Sequence, residues 1–238
     1  MLDADGGFWA SYVPGDKFGL KGLNPPMTDW GLAQFKSHIP AQGINQHEFG
    51  VNDPVTFQCL PASVPRIYME PHPMEFIQLP GRVLQLFQKG NEWRIIYTDG
   101  RQHSDTYPTW WGNSIGHYEG ETLVIDTTGF VDGRIWLDRV GHPVSDQMHV
   151  TERIRRVSKS SMTDDITLDD PKAYKEKWTV HKTWTLEPSW ELNEDICTDT
   201  GDYASFLSSL TKGRPNKPTG GTGLNEPASG ASKAPPKK

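Results

Sequence analysis

From Met74 onward, apolar and polar residues alternate in short runs, the pattern of half-buried β-strands. MEFIQL, RVLQLFQK, EWRIIYT, NSIGHY, TLVIDTT, MHVTERIRRV, MTDDITL and WTVHKTWTLE follow one another between Met74 and Glu187, separated by LPG, KGN, DG, EGE and similar turns. Asp99-Gly100 and Glu119-Gly120-Glu121 predict hairpins, because Gly tolerates positive φ and Asp tolerates it better than most residues. No helical period long enough for a crossover interrupts the series, and parallel pairing needs crossovers, so the sheet is expected to be antiparallel and up-and-down. Eight such strands remove their edges by closing into a barrel of the calycin or lipocalin type; a two-sheet sandwich is the alternative.

Upstream the pattern is different. Phe8–Val13 is a candidate first strand. Thr28 caps a short N-terminal helix, DWGLAQFKS, with Met27, Trp30, Ala33 and Phe35 as its apolar face. Residues 38–73 carry six prolines and read as a long ordered loop that wraps a surface or covers an opening. The organisation is therefore an N-terminal arm over 1–73, an antiparallel β domain over 74–210, and a low-complexity basic tail over 211–238, disordered or held by a partner.

Composition sharpens this picture. The 238 residues are only 35% hydrophobic, but nine Trp and nine Phe bury large areas with few side chains. The tail from Lys212 holds six basic residues against one acid, Glu226, a net +5; the remainder of a chain at −6 overall is then −11. So acidic a body argues against a nucleic-acid groove. The basic tail reads as a solvated terminus or as an attachment segment for an acidic partner. No apolar run approaches the length of a transmembrane segment, and Met1 leads straight into LDADGGFW without a signal sequence.

Strand alternation also nominates a site. Glu75 shares a face with Ile77 and Leu79, Glu152 with Val150 and Ile154, and Lys182 with Trp178, Val180, Trp184 and Leu186, so all three are expected inward; Asp126 lies with Val124 and Thr128. Inward charges imply either structural ion pairs or a wet polar interior. The connections add Tyr97, Arg101, His103, Trp111 and Asn113, where Arg and His beside aromatic rings suit an aromatic or anionic small molecule. Asp138, Arg139 and His142 lie in a further connection. His103, His117, His142 and His149 lack metal-motif spacing, and no nucleophile elbow, P-loop or dinucleotide fingerprint is present, so neither metal nor cofactor is expected. Cys59 and Cys197, 138 residues apart, are either two buried thiols or one bridge joining the arm to a last strand over Trp190–Cys197.

The run PTWWGNSIGHYEGETLVIDTTGF (Pro108–Phe130) resembles the signature of a family of uncharacterised exported bacterial proteins, and CLPASVPR, YTDGRQH, WLDRVGHP, HVTERIRR and DDPKAY extend the likeness over about residues 25–200. This chain has Asn113 where the family commonly has His, and Tyr118 where Trp is common. The resemblance implies export to the periplasm or beyond, and export favours the Cys59–Cys197 bridge. Two functions are then weighed. One is a cell-envelope binding or accessory protein that uses its arm and tail as attachment segments or holds a small molecule. The other is a cofactor-free isomerase, lyase or hydrolase, with acid/base groups drawn from Glu152, Asp126 or His103 and with Arg101 as oxyanion partner.

Overall fold

The computed structural model describes residues 8–10, 25–38 and 52–197, apart from 57, 71, 104–106 and 132. The tail expectation, and most of the arm's beginning, lie outside these residues. The strands are β1 (Phe8–Ala10), β2 (Met74–Leu79), β3 (Arg82–Phe87), β4 (Glu92–Tyr97), β5 (Asn113–Glu119), β6 (Thr122–Thr128), β7 (His149–Ser158), β8 (Ser161–Asp169) and β9 (Trp178–Glu187). All eight strands expected beyond Met74 form. β2 to β9 make one curled sheet, and the backbone of β1 bonds to both outer strands, at Met74 and at Thr185–Glu187.

Neighbouring strands run antiparallel with one exception. β4 and β5 pair in parallel, at Ile96↔Ser114 and Tyr97↔Ile115, so Asp99-Gly100 does not close a hairpin. Gly100 does turn the chain, at φ 82°, but the connection 98–112 then travels back along the sheet before β5 begins. A connection of that length serves as the crossover, and its described residues form no helix. The Glu119-Gly120-Glu121 turn closes the β5–β6 hairpin as expected, with Gly120 at φ 61°, where a side chain would be strained.

The inner face is built from alternate residues of β2 to β9: Met74, Phe76, Val83, Phe87, Ile96, Ser114, Leu123, Ile125, Val150, Ile154, Met162, Ile166, Leu168 and Trp184 are all buried. The segment 62–69 belongs to the same core. Its 3-10 turn, Arg66–Met69, inserts Tyr68 against the edge of Trp184 at 5.2 Å and beside Phe87 at 6.2 Å. Residues 62–69 of the proline-rich loop thus pack on the concave side of the sheet.

The helix α1 (Asp29–Ser37) starts where its cap predicts: Thr28 Oγ1 accepts the Gly31 N–H at 3.1 Å and donates to the Lys172 carbonyl at 2.6 Å. Gly31 faces the 170–174 turn so closely that an added Cβ would lie 2.2 Å from the Ala173 carbonyl oxygen. That turn is fixed by Asp170, which accepts from Ser145 N–H, Ser145 Oγ and Ala173 N–H. The Trp190–Cys197 segment is not a strand. It lies along the β3–β4 turn, where Asp195 accepts from Gly90 N–H at 2.9 Å, and ends in the Cys59–Cys197 disulfide, with Cα atoms 5.5 Å apart.

Candidate functional site

Glu75, Glu152 and Lys182, expected inward, and Asp126 do not converge in one pocket. Glu152 is fully buried on the inner face of β7. Lys182 is half-buried on the inner face of β9, opposite Asp164 in register. Glu75 lies on the outer face of β2, because Met74 and Phe76 take the inside. Asp126 is on the outer face of β6, where Leu123, Ile125 and Thr127 point inward.

Around Glu152 the interior holds a closed polar network. Arg94, which strand alternation does not single out, donates to both carboxylate oxygens, at 3.1 and 2.6 Å, and also to Ser114 Oγ and Thr127 Oγ1. The Tyr68 hydroxyl donates to Glu152 at 2.6 Å and accepts from Gln85 at 3.1 Å. Burial first, and then the Glu152 charge, push the Tyr68 hydroxyl well above its ordinary value and do the same to Asp164. Arg94 thus faces Glu152, and burial and the Glu152 charge push the neighbouring Asp164 toward its neutral form. Every strong hydrogen-bonding atom of Arg94 and Glu152 is occupied from within, as a structural centre requires.

The second constellation lies on the convex face. Tyr97 pairs with Ile115 and Ile115 pairs with Asp126, so these three half-buried residues form one row across β4, β5 and β6. At the Tyr97 end, the Arg101 guanidinium stacks 3.7 Å above the ring and bonds to Asp99 at 2.6 Å. At the other end, the Asp126 carboxylate sits between two imidazoles: His103 Nε2 reaches Oδ1 and His149 Nε2 reaches Oδ2, each at 2.5 Å. His103 Nδ1 is 3.0 Å from Asn113 Oδ1. Burial raises the Asp126 carboxyl, but the hydrogen bonds from His149 and His103 outweigh it and hold the group below its ordinary value.

Of the expected ligand set, Tyr97, Arg101, His103, Asn113 and Asp126 are thus brought together, and His149 joins them from β7. His149 stands two residues along β7 from Thr151, the register partner of Asp126, and so meets Asp126 diagonally on the same face. Trp111 instead stacks on Phe87 at 5.1 Å as part of the packing and donates to Glu92. Among the described residues no three His, Cys, Asp or Glu side chains are arranged to hold a metal ion.

A separate cleft of about 240 Å³ runs beside the disulfide, between Val55, Leu60, Lys89, Glu92 and Ile196. Comparison with family models, with characterised proteins and with solved structures finds no match to this chain.

Proposed function

We propose that this chain is an exported binding protein of the bacterial cell envelope that takes a small anionic molecule on the convex face of its sheet. The observation that carries the reading is the Tyr97–Ile115–Asp126 row. Its ends are a guanidinium stacked on an aromatic ring and a His–Asp–His cluster, and its middle is apolar. Two strand spacings separate the ends, about 10 Å, the length of a small aromatic acid. The disulfide and the resemblance of Pro108–Phe130 to exported proteins support the compartment. No helix among the described residues is long and apolar enough to cross a membrane. The up-and-down order of β5 to β9 supports a lipocalin-like architecture, from which the parallel β4–β5 pair departs.

A titration of the protein with benzoate, followed by amide and imidazole NMR shifts, tests the reading. Saturable shifts confined to Arg101, His103, Ile115, Asp126 and His149, and weakened in Arg101→Ala, are expected. Shifts that are absent or scattered over the surface at millimolar benzoate would remove it.

A second reading, an accessory subunit, is favoured by a different patch. Trp93 is 61% exposed and Leu79 41% exposed on the outer face of β2 to β4, beside half-buried Ile77, Leu84, Leu86 and Ile95. Strands that face water on one side ordinarily alternate apolar with polar, and these are apolar on both faces. Co-purification of a stable partner from envelope extracts, lost in Trp93→Glu, would select this reading.

A further inference from the structure

We propose that His149 is the nucleophile of an acyl-transfer site that takes small carboxylic esters bearing a distal anionic group, with Asp126 and His103 as positioning residues. The proposal rests on the small-molecule reading of the convex row and adds a reaction to it.

The argument turns on which imidazole nitrogen is left for chemistry. A carboxylate only accepts, so the ring nitrogens that meet Asp126 are those that carry hydrogen. His149 therefore holds its proton on Nε2, 2.5 Å from Asp126 Oδ2, and its Nδ1 carries the lone pair. That Nδ1 makes no hydrogen bond to another described residue, and the side chain is 39% exposed. His103 differs: its Nε2 meets Asp126 and its Nδ1 meets Asn113, so both nitrogens are engaged. It steadies the carboxylate and leaves the reaction to His149. A nucleophile whose partner is itself oriented by a third group is the arrangement that covalent catalysis uses.

Two other histidines with short carboxylate contacts, His142 and His181, lack one element or another. His142 bonds to Asp138 at 2.7 Å but is buried and stacked on Phe35. His181 is exposed and bonds to Asp165 at 2.6 Å, but its carboxylate is not shared with a second imidazole and the row does not extend to it. His181 thus serves as a built-in control for the reactivity of an exposed His–Asp pair.

The row sets the substrate class. Beyond Asp126, which His149 meets from β7, lie Ile115, an apolar floor, and then Arg101 over Tyr97, two strand spacings from Asp126, which suits a distal carboxylate. In the first step His149 Nδ1 attacks the ester carbonyl carbon. An N–C bond forms, the C–O bond breaks, and the alcohol oxygen leaves with the electron pair and takes a proton from water. The acylated ring is then an imidazolium whose Nε2–H remains on Asp126. Water adds to the acyl carbon, the N–C bond breaks, the acid and a proton are released, and neutral His149 returns.

The test uses 4-acetoxybenzoate, followed by release of 4-hydroxybenzoate, beside phenyl acetate, which lacks the carboxylate. Saturable hydrolysis of 4-acetoxybenzoate is expected. It should fall about a hundredfold in His149→Gln, by a similar factor in kcat for Asp126→Asn, and not at all in His181→Gln. Arg101→Ala should raise KM for 4-acetoxybenzoate by a larger factor than for phenyl acetate. Acid quench during turnover should trap an acetyl group on His149. Turnover that is absent, or equal in wild type and His149→Gln, would overturn the proposal, as would equal losses in the His149 and His181 variants. Benzoate shifts at the row without His149-dependent turnover would sink the acyl-transfer step alone, whereas absence of those shifts sinks the binding reading as well.

Discussion

Inside the sheet, Arg94 grips Glu152 through both terminal guanidinium nitrogens, at 2.6 and 3.1 Å, and neither side chain reaches water. The pair joins β4 to β7, strands on opposite sides of the β5–β6 hairpin. Removing one partner leaves a buried charge without compensation, which typically costs about 3–5 kcal/mol. Glu152→Ala or Arg94→Ala is expected to destabilise by that order, measured by urea unfolding. The double substitution Arg94→Met, Glu152→Leu should recover most of the loss, because the polar demand disappears with both charges. A double variant as unstable as the sum of the singles would show that the pair's hydrogen bonds to Tyr68, Ser114 and Thr127 matter more than its charge.

Glu70 gives the protein an acid limit. Its buried carboxyl would be raised by burial, but Arg139 and then Arg66 overcome this and lower it from an ordinary 4.5 to about 2. A depressed acid contributes stability that is present above its unfolded value and is lost as pH falls toward its folded value. Unfolding free energy should therefore drop between about pH 4.5 and pH 2, by on the order of 3 kcal/mol from this group. Glu70→Gln should be less stable than wild type at pH 6 and should approach it at pH 3.

Glu92 acts in the opposite direction. Burial raises its carboxyl from 4.5 to about 7, against the Ala62 N–H and the Trp111 indole, which both favour the charged form. Its stabilising contribution is complete below the unfolded value and is lost as pH rises through about 7. Glu92→Gln keeps the shape and abolishes the charge. The variant should exceed wild type in melting temperature at pH 8, and the gap should close by pH 5; a gap independent of pH would contradict the assignment.

Gly31 sets how closely α1 meets the 170–174 turn. A Cβ placed 2.2 Å from a backbone oxygen has to be relieved by moving the helix, since neither partner is a flexible side-chain end. Gly31→Ala raises helix propensity yet is expected to destabilise by about 1–3 kcal/mol, the range for overpacking. Faster amide exchange at Thr28, which bonds to the Ala173 carbonyl, would locate the loss.

The Cys59–Cys197 bridge spans 138 residues, which in the chain-entropy model is worth at most about 5 kcal/mol. Reduction should lower the unfolding midpoint without changing the chemistry of the convex row, since the bridge lies in the cleft beside Lys89 and Glu92. Loss of the benzoate shifts on reduction would tie the two regions together.

The strands, their ends and the helix cap were legible in the sequence because each rests on neighbours along the chain. A period of two marks a strand, Gly120 marks its turn, and Thr28 lies three residues before the N–H it accepts. The two cysteines were legible as a candidate pair, and the exported-protein resemblance favoured joining them. The inner face of β7 was read correctly because Thr151, Arg153 and Arg155 leave only one apolar side.

Which way β2 and β4 face was decided by the tertiary structure. MEFIQL and EWRIIY are apolar on both faces, so alternation alone cannot say which side is inside, and a choice shifted by one residue reverses every side chain. Alternation therefore predicts Glu75 inward and gives no sign of Arg94, because Trp93 and Ile95 make the other face of its strand look like core. The parallel turn of the chain between β4 and β5 brings Tyr97 level with Ile115, and hairpin pairing then carries the row on to Asp126. His103 and His149 meet on that carboxylate from a connection and from a strand well apart in sequence. Local residue preference determines the elements, but a site assembled from side chains distant in sequence exists only once the sheet's register is fixed.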